Sequence, residues 1–143
     1  MKNVVGFFKL LAEENRMRLV FQLLDNELFV CQLMAVLGIS QPLVSSHLAL
    51  LKRQGLLEQR RRGKLVFYRL RRDLPAWQRE VLRLLRLELS SSDSIRRDSE
   101  VLALFRDKFQ TASGRCDMAT LKEFLKYRRS RQAKTQEKQP WKT

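Results

Sequence analysis

Residues 27–70 read ELFVCQLMAVLGISQPLVSSHLALLKRQGLLEQRRRGKLVFYRL, and the order of signals in that stretch decides the fold. Val30, Leu33, Met34 and Leu37 recur at helical spacing, and Gly38 follows with the permissive backbone that a sharp helix stop needs. Ser40 then offers a hydroxyl to cap a second helix, and Pro42 falls in its first turn, where a missing N–H costs nothing. The second helix therefore begins near Gln41. Its Val44, Leu48 and Leu51 cluster on one side, while Pro42, Ser45, Ser46, Ala49 and Arg53 occupy the other. One face enters a core; the other is short and polar, as a helix must be to approach base edges in a major groove about 12 Å wide. Gly55 ends this helix, and Arg62-Gly63 between two β-like runs is a hairpin signal. Two short helices followed by a basic hairpin read as a winged helix-turn-helix, a mainly α fold with a small β-hairpin whose expected ligand is double-stranded DNA.

The hairpin carries Arg60, Arg61, Arg62 and Lys64 at its tip, long cations that can reach phosphates or the adjacent minor groove. A solvated, charged edge hairpin is the plain alternative. The placement of charge favours the first reading. Residues 52–72 hold nine Lys/Arg against one acid, Glu58, and residues 126–143 hold seven against one, Glu137. Residues 1–51 carry four of each sign and residues 73–125 nine of each, so two segments account for the whole net charge of +14. Such concentration is the footprint of a polyanionic partner. The expected base-reading residues are Gln41, Ser45, Ser46, His47 and Arg53, with Arg60, Arg61, Arg62 and Lys64 on the phosphates or minor groove.

A chain of 143 residues, 44 % apolar, suffices for one domain with appendages. Cys31 and Cys116 are too few for a disulfide framework, which fits a reducing cytoplasm. The N-terminal apolar stretch is broken by Lys9 and closes on Glu13-Glu14, unlike a secretory signal, and no apolar run approaches the roughly 18 residues of a membrane helix. A soluble, cytoplasmic protein with no membrane partner is expected. His47 is the only histidine, Ser45 and Ser46 point elsewhere on its helix, and the five glycines are too dispersed for a phosphate-cradling loop. This inventory speaks against an enzyme and against a required cofactor. His47 sits at the margin of the two helix faces, where a hydrogen bond to backbone or phosphate suits it better than metal ligation.

Residues 4–13 and 16–24 form two further apolar-periodic helices, with Glu14 or Asn15 at the junction. After the wing, Asp73-Leu74-Pro75 is a helix-start signal, and Trp77, Val81, Leu84 and Leu85 form the apolar face that follows, widened by Leu82, Leu87 and Leu89. A helix apolar on more than one stripe needs more than one partner. A homodimer is therefore expected, its first and last domain helices packing across a two-fold axis through Trp77, Val81, Leu84 and Leu85; an intramolecular core is the alternative. The winged-helix DNA-binding and dimerisation domain then spans residues 1–89. Residues 90–128 read as a linker, 90–98, and a short extension with helices at 100–109 and 118–128 around a flexible loop at 111–116. Residues 129–143 have almost nothing to bury and read as a disordered basic tail.

Several of these segments together resemble one family. Asn15-Arg16 before an apolar helix, Glu27-Leu28-Phe29-Val30-Cys31-Gln32-Leu33, Leu37-Gly38-Ile39-Ser40-Gln41-Pro42, Val44-Ser45-Ser46-His47-Leu48, and Arg62-Gly63-Lys64 with Tyr68-Arg69-Leu70 are similar to the ArsR/SmtB metal-responsive repressors, over roughly residues 5–90. The resemblance implies homodimeric repressors that sit on a pseudo-palindromic operator and leave it when a metal or metalloid binds. The arsenical-resistance branch is the most similar, its third-helix motif reading ELCVCDL. Here Phe29 stands in place of the first cysteine of that motif and Gln32 in place of its acid, so Cys31 is the only thiol of the segment. Residues 73–89 hold no histidine for a zinc-type site. In the family, trivalent arsenic takes three sulfurs; one chain offers Cys31 and Cys116, and a dimer offers twice as many. Both cysteines are candidate ligands for As(III) or Sb(III) as inducer, with a two-coordinate metal or oxidation as the fallback. Cys31 reads equally as a small half-buried apolar residue or as a thiolate favoured by a helix N-terminus, and Cys116 equally as an incidental exposed cysteine.

The expected function is a sequence-specific DNA-binding transcriptional repressor released by arsenite, antimonite or another thiol-reactive inducer. The alternatives are a winged-helix DNA-binding protein without metal sensing, redox-responsive or architectural, and a basic RNA-associated protein. Competition between duplex DNA and structured RNA separates the last of these.

Overall fold

The chain begins with α1 (Lys2–Leu11) and α2 (Glu14–Asp25) in the computed structural model, which describes residues 1–109 and 118–137. The junction falls at Ala12 and Glu13, and Glu13 caps α2. Its carboxylate accepts the N–H groups of Asn15 and Arg16 at 3.1 and 2.8 Å, filling two of the donors that a helix start leaves open. Arg16 reaches back to the carbonyls of Leu10 and Lys9, which ties the end of α1 to the start of α2.

α3 (Val30–Leu37) and α4 (Gln41–Arg53) follow, then the wing strands β2 (Leu57–Arg62) and β3 (Leu65–Leu70). Gly63, at φ 59°, takes the first place of the two-residue loop between them, the glycine-first pattern of a hairpin turn whose twist matches its strands. A short strand unassigned from sequence, β1 (Leu28–Phe29), pairs antiparallel with β3, Leu28 opposite Tyr68 and Phe29 opposite Phe67. Two residues are too few to show a period-two pattern, so only the partner strand reveals them. The sheet order is β1-β3-β2.

α5 (Ala76–Leu89), α6 (Asp93–Lys108) and α7 (Met118–Glu137) complete the described residues. Pro75 precedes α5 as its cap, while Asp73 forks onto Arg71. Residues 90–98 are not a linker throughout: only 90–92 separate the helices, and α6 begins at Asp93. The physical reason is Asp98, a residue 2 % exposed whose carboxylate accepts from the Nε and Nη2 of Arg18 at 2.8 and 2.7 Å. One helical turn and two turns further on, Leu102 and Phe105 enter the core from the same face. The helix expected at 100–109 is thus the second half of a longer one.

α7 likewise packs inward, with Leu121 and Phe124 buried and the Phe124 ring edge-on to Phe105 and Phe109 at 5.0 and 5.1 Å. It also runs past residue 128 to Glu137, so the start of the segment expected to be disordered is helical. Arg, Gln, Ala, Lys and Glu all favour helix, and no Gly or Pro intervenes before Pro140. The loop expected at 111–116, with Cys116, and residues 138–143 lie outside the described residues. One apolar cluster joins α1 through α7, with Leu33, Ala35 and Val36 of α3 fully enclosed at its centre.

Because Phe105 belongs to that single cluster, Phe105→Ala should lower the stability of the whole domain by about 3–5 kcal/mol in urea denaturation. A variant whose winged-helix half unfolds at the parent's midpoint would contradict the shared core.

Candidate nucleic-acid interface

The axes of α3 and α4 bend by 113° across Gly38, Ile39 and Ser40, within the roughly 90–120° of helix-turn-helix pairs. Gly38 takes the left-handed conformation, φ 67°, and its N–H donates to the Met34 carbonyl at 2.9 Å. A side chain there would be strained, so glycine is required at the turn. Ser40 Oγ accepts the Leu43 N–H at 3.5 Å as the cap of α4. Val44, Leu48 and Leu51 point into the core, and Gln41, Ser45, Ser46, Ala49 and Arg53 lie exposed on the opposite face. That face is free to enter a groove.

His47 departs from the rest. Its side chain is 15 % exposed and its Nε2 lies 3.8 Å from the Glu13 carboxylate, so it faces the start of α2. Burial raises the Glu13 pKa, but the N–H groups of Arg16 and Asn15 and the nearby His47 outweigh it and leave this carboxyl below its ordinary value.

The wing divides its cations. Arg60 forks onto Glu27 through its Nε and Nη2 with contacts of 2.9 and 3.2 Å, a pair that ties the hairpin to the approach to β1 and offsets its charge. Arg69 pairs with Glu58 at 2.7 Å. Arg61, Arg62 and Lys64 are exposed, with the Arg62 guanidinium 5.8 Å above the Phe67 ring. Sequence reasoning groups four wing cations; the structure sets Arg60 apart, because its partner lies 33 residues away and leaves no local signal.

Cys31 sits half-buried in the first turn of α3 and is disulfide-bonded, against the expectation of reduced thiols. The two departures from the arsenical motif are structural. Gln32 is buried and its side-chain oxygen accepts the Phe29 N–H at 3.1 Å, as the third residue of a capping box does. Phe29 meets Phe67 edge-on at 5.5 Å. Among the described residues, no group of three or more His, Cys, Asp or Glu could hold a metal ion.

α1 and α5 meet where Phe7 and Trp77 stack edge-on at 5.0 Å. Val4, Val5 and Phe8 of α1 and Trp77, Leu84 and Leu87 of α5 remain exposed, whereas Val81 and Leu85 spend part of their surface on the chain's own core. No single helix among the described residues is long and apolar enough to cross a membrane.

A capped turn, a bare polar helix face and a cationic hairpin beside it define a winged helix-turn-helix protein built to bind DNA. Residues 13–59 match the family described as "Bacterial regulatory protein, arsR family". The chain is 46 % identical over 79 residues to the arsenical resistance operon repressor of Escherichia coli, an alignment covering 54 % of this chain and 68 % of that one. It is 40 % identical over 67 residues to the cadmium resistance transcriptional regulatory protein CadC of Listeria innocua, covering 46 % of this chain and 56 % of that protein. Among solved structures, HlyU from Vibrio cholerae superposes with a TM-score of 0.57 at 34 % identity, covering 63 % of this chain and 95 % of that one. The chain belongs to the ArsR family and is a DNA-binding transcriptional regulator, not an enzyme.

The division of the wing is testable. Arg61→Ala and Arg62→Ala should each flatten the dependence of log K on log salt by about one unit, whereas Arg60→Ala should leave that slope nearly unchanged. Equal slopes for all three variants would refute the assignment.

Proposed function

We propose that this chain is a homodimeric repressor that places α4 from each protomer in successive major grooves of a pseudo-palindromic operator, with the thiol state of Cys31 setting its release. The observation that carries the DNA reading is the exposed row Gln41, Ser45, Ser46 and Arg53 on a helix whose other face is buried. The apolar residues left exposed on α1 and α5 support the dimer, since two faces related by a two-fold axis would cover each other and space two recognition helices to suit a two-fold site. The relatives' names include repressors and, for HlyU of Vibrio cholerae, a transcriptional activator; the arsenical resistance operon repressor and the SmtB-homologue repressor favour repression here. A cytoplasmic location follows from that role.

The inducer belongs to thiol chemistry. Cys31 lies at the start of α3, whose other end enters the turn to α4, so a change of bonding there can tilt the recognition helix. Oxidation of two thiols to a disulfide, with two electrons and two protons passing to a peroxide-class oxidant, is the step that the bonded Cys31 supports; Cys116, the chain's other cysteine, is its candidate partner. The names of the arsenical relatives favour arsenite or antimonite as a second reading. One sulfur on α3 does not make such a site alone, and a metalloid would need Cys116 or the thiols of a second copy.

Operator affinity of the parent should differ about a hundredfold between dithiothreitol and peroxide, a coupling of about 3 kcal/mol. Cys31→Ser should bind alike in both and ignore arsenite. A parent insensitive to both reagents, or a Cys31→Ser protein that still responds, would end the sensing claim and leave the DNA-binding one standing.

A further inference from the structure

The carbonyls at the end of α3 receive arginines from two other helices. The last turn of any helix leaves its C=O groups without intrahelical partners. Gly38 N–H takes the Met34 carbonyl. The next two are met from outside: Arg128 Nη1 of α7 donates to the Ala35 and Val36 carbonyls at 3.0 and 3.4 Å, and Arg18 Nη2 of α2 reaches the Val36 carbonyl at 3.5 Å. The same Arg128 nitrogen would lie 3.6 Å from a Cβ placed on Gly38. It therefore sits directly on the turn that joins α3 to the recognition helix.

Arg128 is carried by a helix face anchored in the core. Leu121 and Phe124 stand seven and four residues before Arg128, on the same face of α7, and both are buried. Burial pulls the Arg128 guanidinium below its usual pKa, Asp98 opposes that and Arg18 adds to it. The cation is held close to a like charge because Asp98 and the helix-end carbonyls compensate it.

We infer that Arg128 is a positioning residue for DNA reading: α7 uses it to fix the end of α3 and the turn at residues 38–40, and so sets the angle at which α4 meets the groove. The extension is then part of the reading unit, and displacing α7 detunes sequence recognition without removing the DNA-binding surface. This rests on the DNA reading proposed above but is separable from it.

The test uses the full chain with two duplexes, one enriched by the parent from a randomised library and one scrambled to the same composition. Arg128→Ala should lower affinity for the enriched duplex about tenfold while changing the scrambled one by less than twofold. Arg128→Lys, which keeps the charge and reaches the carbonyls less well, should fall between. Arg129→Ala removes the neighbouring exposed cation and should weaken both duplexes equally. Amide hydrogen exchange of the DNA-free protein should quicken at residues 38–43 in Arg128→Ala and not in Arg129→Ala. Equal losses on both duplexes for Arg128→Ala, or unchanged exchange at the turn, would overturn the proposal. If Arg128→Ala does not fold, Arg128→Lys decides by the same two readouts. If the parent binds no duplex, the DNA reading fails, and the exchange comparison still decides whether Arg128 holds the turn.

Discussion

Eight residues of α3 have to be kept helical by their surroundings, since an isolated helix is marginal in water below about 12–15 residues. From Gln32 to Leu37 every side chain is buried, so beyond its first two residues α3 has no solvent face and takes its stability from α2, α4, α6, α7 and the sheet around it. Its start is fixed by Gln32 on the Phe29 N–H and its end by Gly38, Arg18 and Arg128. The recognition helix begins only three residues later. Any force on α3, whether a covalent bond at Cys31 or the loss of a guanidinium at Val36, is therefore passed to α4 through a turn with little slack.

Charge in this chain is sorted by partner. Arg18, Arg60, Arg69, Arg71, Arg83, Arg86 and Arg96 each pair with a carboxylate, and those pairs hold helices and hairpin in place or lie on the surface, where they contribute little. Arg18 with Asp98 is the buried member of the set, and breaking such a pair from one side is costly because the remaining charge stays enclosed. Arg53, Arg61, Arg62 and Lys64 make no ion pair with any carboxylate among the described residues and lie exposed at the end of α4 and on the wing. The polyanion-binding character thus comes from where the unmatched cations stand, and less from the total of +14.

The helix-turn-helix and wing were legible because their signals are local: a glycine in the left-handed region, a serine cap followed by proline, and a glycine-led two-residue turn. The buried stripe Val44, Leu48 and Leu51 likewise follows from spacing alone. What escaped was long-range. Asp98 reads as the end of a serine-rich linker until Arg18, 80 residues earlier, is brought to it. Arg60 reads as one of four wing cations until Glu27 takes it, and Arg128 reads as the last residue of a short helix with no partner in view until α7 lays it on a carbonyl 93 residues upstream. His47 sits at a boundary on the helix wheel, and only the packing of α2 against α4 turns it toward Glu13. The homologous segment identifies the family, while in the extension the helices were legible and their docking onto α3 was not.

The central claim is that two copies of α4 read one face of a duplex. Hydroxyl-radical and methylation footprinting of the parent on its enriched duplex tests this most directly. The account predicts two protected major-groove segments whose centres lie about 10 base pairs apart, one helical turn, with flanking backbone protection from the wings. Continuous protection without register, or a single protected segment at saturation, would contradict it.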